Sequence, residues 1–262
     1  MVESNANGGA IVTANPSVTR GMRVRLACNG THWFYACKNN VIARSMANEM
    51  ADSFVYTEIQ DKVTAVVLAP DNERLGVGTE TGRFCVLRWT GKKLALVKDH
   101  ECKLSGAIRA VVWPQQGPNV VVLGESKGTG SCFDSETGSQ RGDVTGFLDT
   151  VLCGFMTKAK VMYTAGQMKE ILRHEMPFKA PPTKVEHPHT NFVNQMKMSP
   201  DGSKFVTVSS DKSICVFETE TATKIKHWDK AHAMGIYDVD WIDDNSFITC
   251  SADNLVRTWQ MD

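Results

Sequence analysis

His232, Ser251 and Asp253 bring together an imidazole, a hydroxyl and a carboxylate. These are the side-chain types of a nucleophilic relay, in which a base activates a hydroxyl and an acid orients the base. The same three types stand 42 or 43 residues earlier as His189, Ser209 and Asp211. A catalytic set is assembled once, whereas a set that returns at a fixed interval belongs to a repeated structural unit, so these residues read as architecture. Gly76-Val77-Gly78 with Gly82 has the composition of a phosphate loop, but it joins two strand-like runs and opens no helix whose N-terminus would hold an anion. His187-Pro188-His189 and His100-Glu101-Cys102 lack the second spaced pair of a zinc site. No catalytic residue, metal, cofactor or small-molecule substrate is expected, and the chain reads as a non-enzyme.

The elements that carry these residues follow from the same periodicity. Six segments share one pattern of apolar strand, turn, apolar strand and turn, and the residues that open the first turn are Cys28, Pro70, Pro114, Thr157, Pro200 and Asp243. Their separations of 42 to 44 residues match the period of a four-stranded propeller blade. A third strand follows in every repeat, and a fourth (FVYTEI, KLALVKD, RGDVTG, KIKHWD) in the first, second, third and fifth. Pro200-Asp201-Gly202 and the Glu-Thr-Gly triplets at Glu80 and Glu136 are tight-turn signals, and no sustained helical period occurs.

The expected fold is therefore an all-β propeller with five complete four-stranded blades and a partial sixth. The boundaries fall at about 20–60, 61–104, 105–147, 148–189, 190–232 and 233–262, after an N-terminal segment, 1–19. Two arrangements complete the sixth blade. Either Ala10–Ala14 supplies its outer strand and closes a six-bladed ring, or the chain is part of a longer array.

Composition narrows the function. Lys+Arg and Asp+Glu both total 29, so no net field favours nucleic acid or anionic lipid. The eight cysteines form no CxxC pair and sit mostly in apolar runs, where they read as small buried hydrophobes of a reducing, cytoplasmic compartment. No stretch approaches the roughly 18 apolar residues of a membrane span. Asn29-Gly30-Thr31 matches a glycosylation sequon but falls in a predicted turn of a chain read as intracellular, so no modification is expected.

From Ser105 onward the chain carries, in order, GAIRAVVWPQQGPNVVVLGES, the MPFK segment, HTNFVNQMKMSPDGSKFVTVSSDKSICVFETET and AHAMGIYDVDWIDDNSFITCSADNLVRTW. With NPSVTRG and FYACKNNVIARSM nearer the start, these resemble the N-terminal propeller of the actin-interacting protein 1 family of WD-repeat proteins over nearly the whole chain. The resemblance implies a seven-bladed ring of which this chain is a part. It also implies a blade tetrad of His, Ser or Thr, Asp and Trp. His232, Ser251, Asp253 and Trp259 complete the tetrad in the sixth repeat, whereas the fifth keeps His189, Ser209 and Asp211 with Phe217 in place of Trp.

The family cooperates with cofilin to disassemble actin filaments. The resemblance therefore implies actin filaments and cofilin as partners, a place at the actin cytoskeleton, and contact residues at Glu125, Phe178 and Phe192, expected on one shared rim. MPFK reads as an insertion between blades. A further family acidic residue falls near Gly166 or Gln167, neither of which is acidic. A generic WD-repeat scaffold of a larger assembly, with no actin role, is the alternative.

Overall fold

Each repeat folds into one antiparallel sheet. The computed structural model describes residues 26–47, 53–101, 104–125 and 128–261. Blade one is β1 (Leu26–Cys28), β2 (His32–Cys37), β3 (Asn40–Ser45) and β4 (Ser53–Tyr56); blade two is β5 (Val63–Leu68), β6 (Arg74–Thr79), β7 (Arg83–Trp89) and β8 (Leu94–Glu101). Blade three is β9 (Ile108–Val112), β10 (Asn119–Gly124), β11 (Gly128–Asp134) and β12 (Gln140–Phe147). Blade four is β13 (Val151–Met156), β14 (Val161–Gly166), β15 (Ile171–Glu175) and β16 (Thr183–Val185); blade five is β17 (Val193–Met198), β18 (Lys204–Ser209), β19 (Ile214–Glu218) and β20 (Lys224–Trp228). The sixth sheet has three strands among the described residues, β21 (Ile236–Trp241), β22 (Ser246–Ser251) and β23 (Val256–Gln260). No helix occurs among the described residues. Ala10–Ala14, expected as a closing strand, lies outside them.

Two details differ from expectation. The fourth strand of blade four is β16, whose three residues give almost no alternating pattern to recognise. MPFK (Met176–Lys179) therefore lies inside blade four, between β15 and β16, and not between blades.

The apolar core is divided into five clusters, each formed where one blade's face meets the next. Central strands read as continuous apolar runs because both of their faces are covered. Val206, Val208, Ile214 and Val216 of blade five are fully buried. First strands of successive blades adjoin, so β1, β5, β9, β13, β17 and β21 line a central cleft.

A bulge repeats near the start of these inner strands, where the register shifts at Thr64, Leu152, Asn194 and Tyr237. Two of these residues reach the next blade. Thr64 Oγ1 donates to the Ile108 carbonyl at 2.6 Å, and Asn194 Nδ2 to the Ile236 carbonyl at 2.6 Å. Two tryptophans add the same kind of tie at the other end of the inner strands: the Trp113 indole donates to the Val67 carbonyl at 3.2 Å and Trp241 to the Lys197 carbonyl at 3.0 Å.

Strand order sorts the loops into two rims. Turns between first and second strands and between third and fourth strands share the lower rim, as the bond from Met176 N to Lys160 O records. Turns between second and third strands, and the connections into each new blade, share the upper rim, as do Ser210 N and Phe192 O.

Candidate partner-binding surface

The polar set of blade six is a closed network. The Trp259 indole donates to Thr249 Oγ1 at 2.8 Å, which leaves the Thr249 hydroxyl proton for His232 Nε2, also 2.8 Å away. His232 Nδ1 then donates to Asp253 at 2.9 Å, and the Ala233 and Leu255 amides bond the same carboxylate. Burial works to raise the Asp253 pKa, but the Ala233 amide and His232 outweigh it and hold the pKa at about 2.

The hydroxyl in this network is Thr249, not Ser251. Ser251 Oγ donates to the Met234 and Gly235 carbonyls and accepts from the Asp253 amide, so it ties the turn down instead of meeting His232. Blade five shows the same correction. His189 Nε2 meets Thr207 Oγ1 at 2.8 Å, while Ser209 Oγ donates to the Asn191 carbonyl. With Phe217 at the indole's position, His189 and Asp211 stand 3.3 Å apart, and Ser213 Oγ takes the closer place on Nδ1 at 2.8 Å. Burial opposes ionisation of Asp211, but His189, Ser213 and the Thr190 amide push its pKa well below the usual carboxylate range.

Blade four reverses the roles. His174 stands opposite Met162, as Trp259 stands opposite Phe247, and its Nε2 lies 3.0 Å from Thr164 Oγ1. Phe147 packs on that imidazole with ring centroids 5.2 Å apart. Burial lowers the His174 pKa to about 4 and keeps the ring neutral. Burial does the same at His187, also to about 4, with His189 contributing. The repeated serines of blades five and six, Ser209 and Ser251, bond backbone carbonyls and not the imidazoles, so they fasten turns.

The three residues expected to meet partners separate. Glu125 follows β10 on the upper rim, where Arg109, left unpaired by the blade-three bulge, donates to Oε1 through Nε at 2.9 Å and also through Nη2. The Glu125 carboxylate is thus half of an ion pair, and its amide is fixed to the Ala107 carbonyl at 3.0 Å. Phe192 also lies on the upper rim, directly before β17, and is 38% exposed. Phe178 lies between β15 and β16 on the lower rim. It is half-buried against the cluster between blades three and four, and its ring meets His174 edge-on at 6.5 Å. One flat partner therefore cannot touch all three, contrary to the shared rim expected from sequence. Gly166 ends β14, where an added Cβ would stand 2.2 Å from the Thr150 carbonyl, so that position excludes a side chain.

Sequence reasoning passed over two upper-rim residues, Leu148 and Met234, which are 71% and 51% exposed. Their apolar character, taken alone, reads as core. The signal that would have found them is their place in connections between blades, outside every strand. Among the described residues no group of three His, Cys, Asp or Glu is arranged to hold a metal, and no helix is long and apolar enough to cross a membrane. Of the seven described cysteines, Cys85, Cys132, Cys153 and Cys215 are buried, while Cys28 and Cys250 are exposed.

Sheets of this size, joined in series around a cleft and fastened by this network, define a WD-repeat β-propeller. The WD domain, G-beta repeat family matches residues 181–218 and 223–260. A chain in a crystal structure of the mitotic checkpoint complex superimposes with a TM-score of 0.78 at 14% identity, over 93% of this chain and 79% of that one, which bears on the fold alone.

Within that class the chain resembles the actin-interacting protein 1 family along nearly its whole length. It is 28% identical to WD repeat-containing protein 1 of Mus musculus and 27% identical to actin-interacting protein 1 of Drosophila melanogaster, each over 94% of this chain and 41% of the relative. It is 30% identical to a 66 kDa stress protein of Physarum polycephalum, over 88% of this chain and 39% of that protein. The chain thus spans about two-fifths of the length of the curated relatives it matches.

Proposed function

We propose that this chain is a non-enzymatic scaffold that binds actin filaments and works with cofilin to promote their disassembly at the cytoplasmic actin cytoskeleton. The observation that carries this reading is the similarity across 94% of the chain to a Drosophila melanogaster protein named for interaction with actin. The balanced charge argues against a nucleic-acid role. Because the strand order splits the expected contacts, the reading assigns the upper rim, with Phe192 and Glu125, to the filament. Phe178 on the lower rim is assigned to a second contact, with cofilin. It also places a seventh blade between blades one and six, whose outward faces present Leu26 and Val55 on one side and Tyr237 and Val256 on the other.

Filament co-sedimentation, with and without cofilin, tests the proposal. The expected result is that the chain pellets with filaments and that cofilin-dependent release of actin to the supernatant rises when it is added. Absence of the chain from the pellet in both conditions overturns the actin reading and leaves a generic scaffold.

A further inference from the structure

The lower rim changes sign between blades four and five. The two lower turns of blade four, 157–160 and 176–182, carry Lys158, Lys160 and Lys179, all exposed and none in an ion pair among the described residues. The carboxylate beside them, Glu175 at the end of β15, accepts from Arg173 Nη1 at 2.5 Å. That pair cancels itself and leaves the three lysines as a net excess.

On blade five the lower turns and the strand ends beside them carry Asp201, Glu218 and Glu220 against Lys204 and Lys224, so that side is net acidic. Toward blade three the rim is close to neutral. Its turn 113–118 has no charged residue, and around the other turn Asp134 is paired with Arg141 at 2.6 Å and Glu136 with Arg74 at 3.7 Å. A cationic patch with a neutral flank on one side and an acidic flank on the other favours an acidic partner seated over blades three and four.

The backbone that carries the patch is fastened. Thr157 accepts from Lys160 N at 3.1 Å through its carbonyl and from Val161 N at 3.2 Å through Oγ1. The two turns are tied to each other by the bond from Met176 N to the Lys160 carbonyl at 3.2 Å, and Phe178 N donates to the Glu175 carbonyl at 2.8 Å. Farther along, Pro182 lies against β12, where a Cβ added at Gly146 would stand 2.6 Å from Pro182 Cγ, so the loop is pinned to blade three. Next to Lys179, Pro177 is exposed and Phe178 is half-buried on the cluster between blades three and four. A patch ordered in advance loses little entropy on binding.

We infer that Lys158, Lys160 and Lys179, with the half-buried Phe178, form a docking surface for an acidic, partly apolar segment of a protein partner, seated over the lower rim of blades three and four. The inference deepens the reading above, which assigns Phe178 to cofilin, and rests on it for the probe. The aromatic and proline contacts hold the segment, while the lysines steer it and set its orientation. A phosphate backbone is held by a longer run of cations than these three.

The test is co-sedimentation of the 262-residue chain with bare and with cofilin-decorated actin filaments, at low and at physiological salt. Lys158→Glu/Lys179→Glu is expected to weaken binding to decorated filaments roughly tenfold and to flatten its salt dependence, while binding to bare filaments stays at the wild-type level. Lys92→Glu/Lys93→Glu, the same charge change on the lower rim of blade two, is expected to leave both unchanged, and both variants should melt with the wild type. Wild-type binding to decorated filaments by Lys158→Glu/Lys179→Glu overturns this inference alone. So does an equal loss in Lys92→Glu/Lys93→Glu, or an equal loss on bare filaments. Absence of the wild-type chain from both pellets overturns it together with the actin reading.

Discussion

Blades five and six have nearly the same local chemistry and opposite burial. The cross-strand pairs Val206–Val216 and Val208–Ile214 of blade five are all fully buried. Their counterparts in blade six are Ile248–Thr258 and Cys250–Val256. There Ile248 is half-buried, Cys250 and Thr258 are exposed, and Val256 is 64% exposed. Blade six nevertheless holds the more complete polar network, with the indole that blade five lacks. Local hydrogen bonding fixes the shape of a blade, while burial is conferred by the neighbouring blade. Solenoid-like arrays behave this way because each unit contacts only the next.

The comparison breaks most visibly if a charge is placed at equivalent positions. Val208→Asp buries an unpaired carboxylate and is expected to cost more than about 4 kcal/mol, enough to lose the cooperative melt. Val256→Asp, on the open face, should stay within about 0.5 kcal/mol of wild type. Thermal melts of the two variants decide it, and equal damage would mean that blade six is covered after all.

A second prediction extends the comparison to blade four. His174 titrates at about 4 in the folded chain, below its ordinary 6.5. A depressed histidine gives stability that is fully present above the unfolded pKa and is lost as pH falls through the folded one. From pH 6.5 down to 4 this amounts to about 3 kcal/mol, since each pKa unit is worth about 1.4 kcal/mol. His187 adds a shift in the same direction. Denaturation midpoints at pH 7 and pH 5 should therefore converge partly in His174→Gln, and an unchanged pH slope would place His174 in solvent.

The polar networks allow a finer test. Thr249→Val keeps the shape but strands the indole and the imidazole, at an expected cost of about 1–3 kcal/mol. Trp259→Phe gives blade six the arrangement of blade five and should cost about 1 kcal/mol. Ser251→Ala is expected to have the smallest effect, because only turn bonds are lost. If Ser251→Ala instead proved the most damaging in chemical denaturation, the serine would be the network's hydroxyl.

Much of this was legible in the sequence because turns and periods are local. The interval of 42 to 44 residues gave the blades, and His232, Asp253 and Trp259 sit where the repeat requires. The hydroxyl slipped by two residues, from Thr249 to Ser251, because a strand repeats its facing every second residue and both lie on one side. The rim of Phe178 is not legible because it depends on the strand count, and the three-residue β16 is too short to announce itself by alternation. The Glu125–Arg109 pair depends on a bulge, which no composition announces. Leu148 and Met234 differ from core residues only in what fails to cover them.

The most direct test of the account is to remove Phe192, the aromatic one of the two expected partner residues on the upper rim. Phe192→Ala should remain folded, since the residue is 38% exposed and belongs to no core cluster among the described residues. It should lose roughly tenfold or more of its binding in filament co-sedimentation, as central aromatic anchors do. A folded Phe192→Ala that pellets with filaments as well as the wild type does would contradict the assignment of this rim to actin.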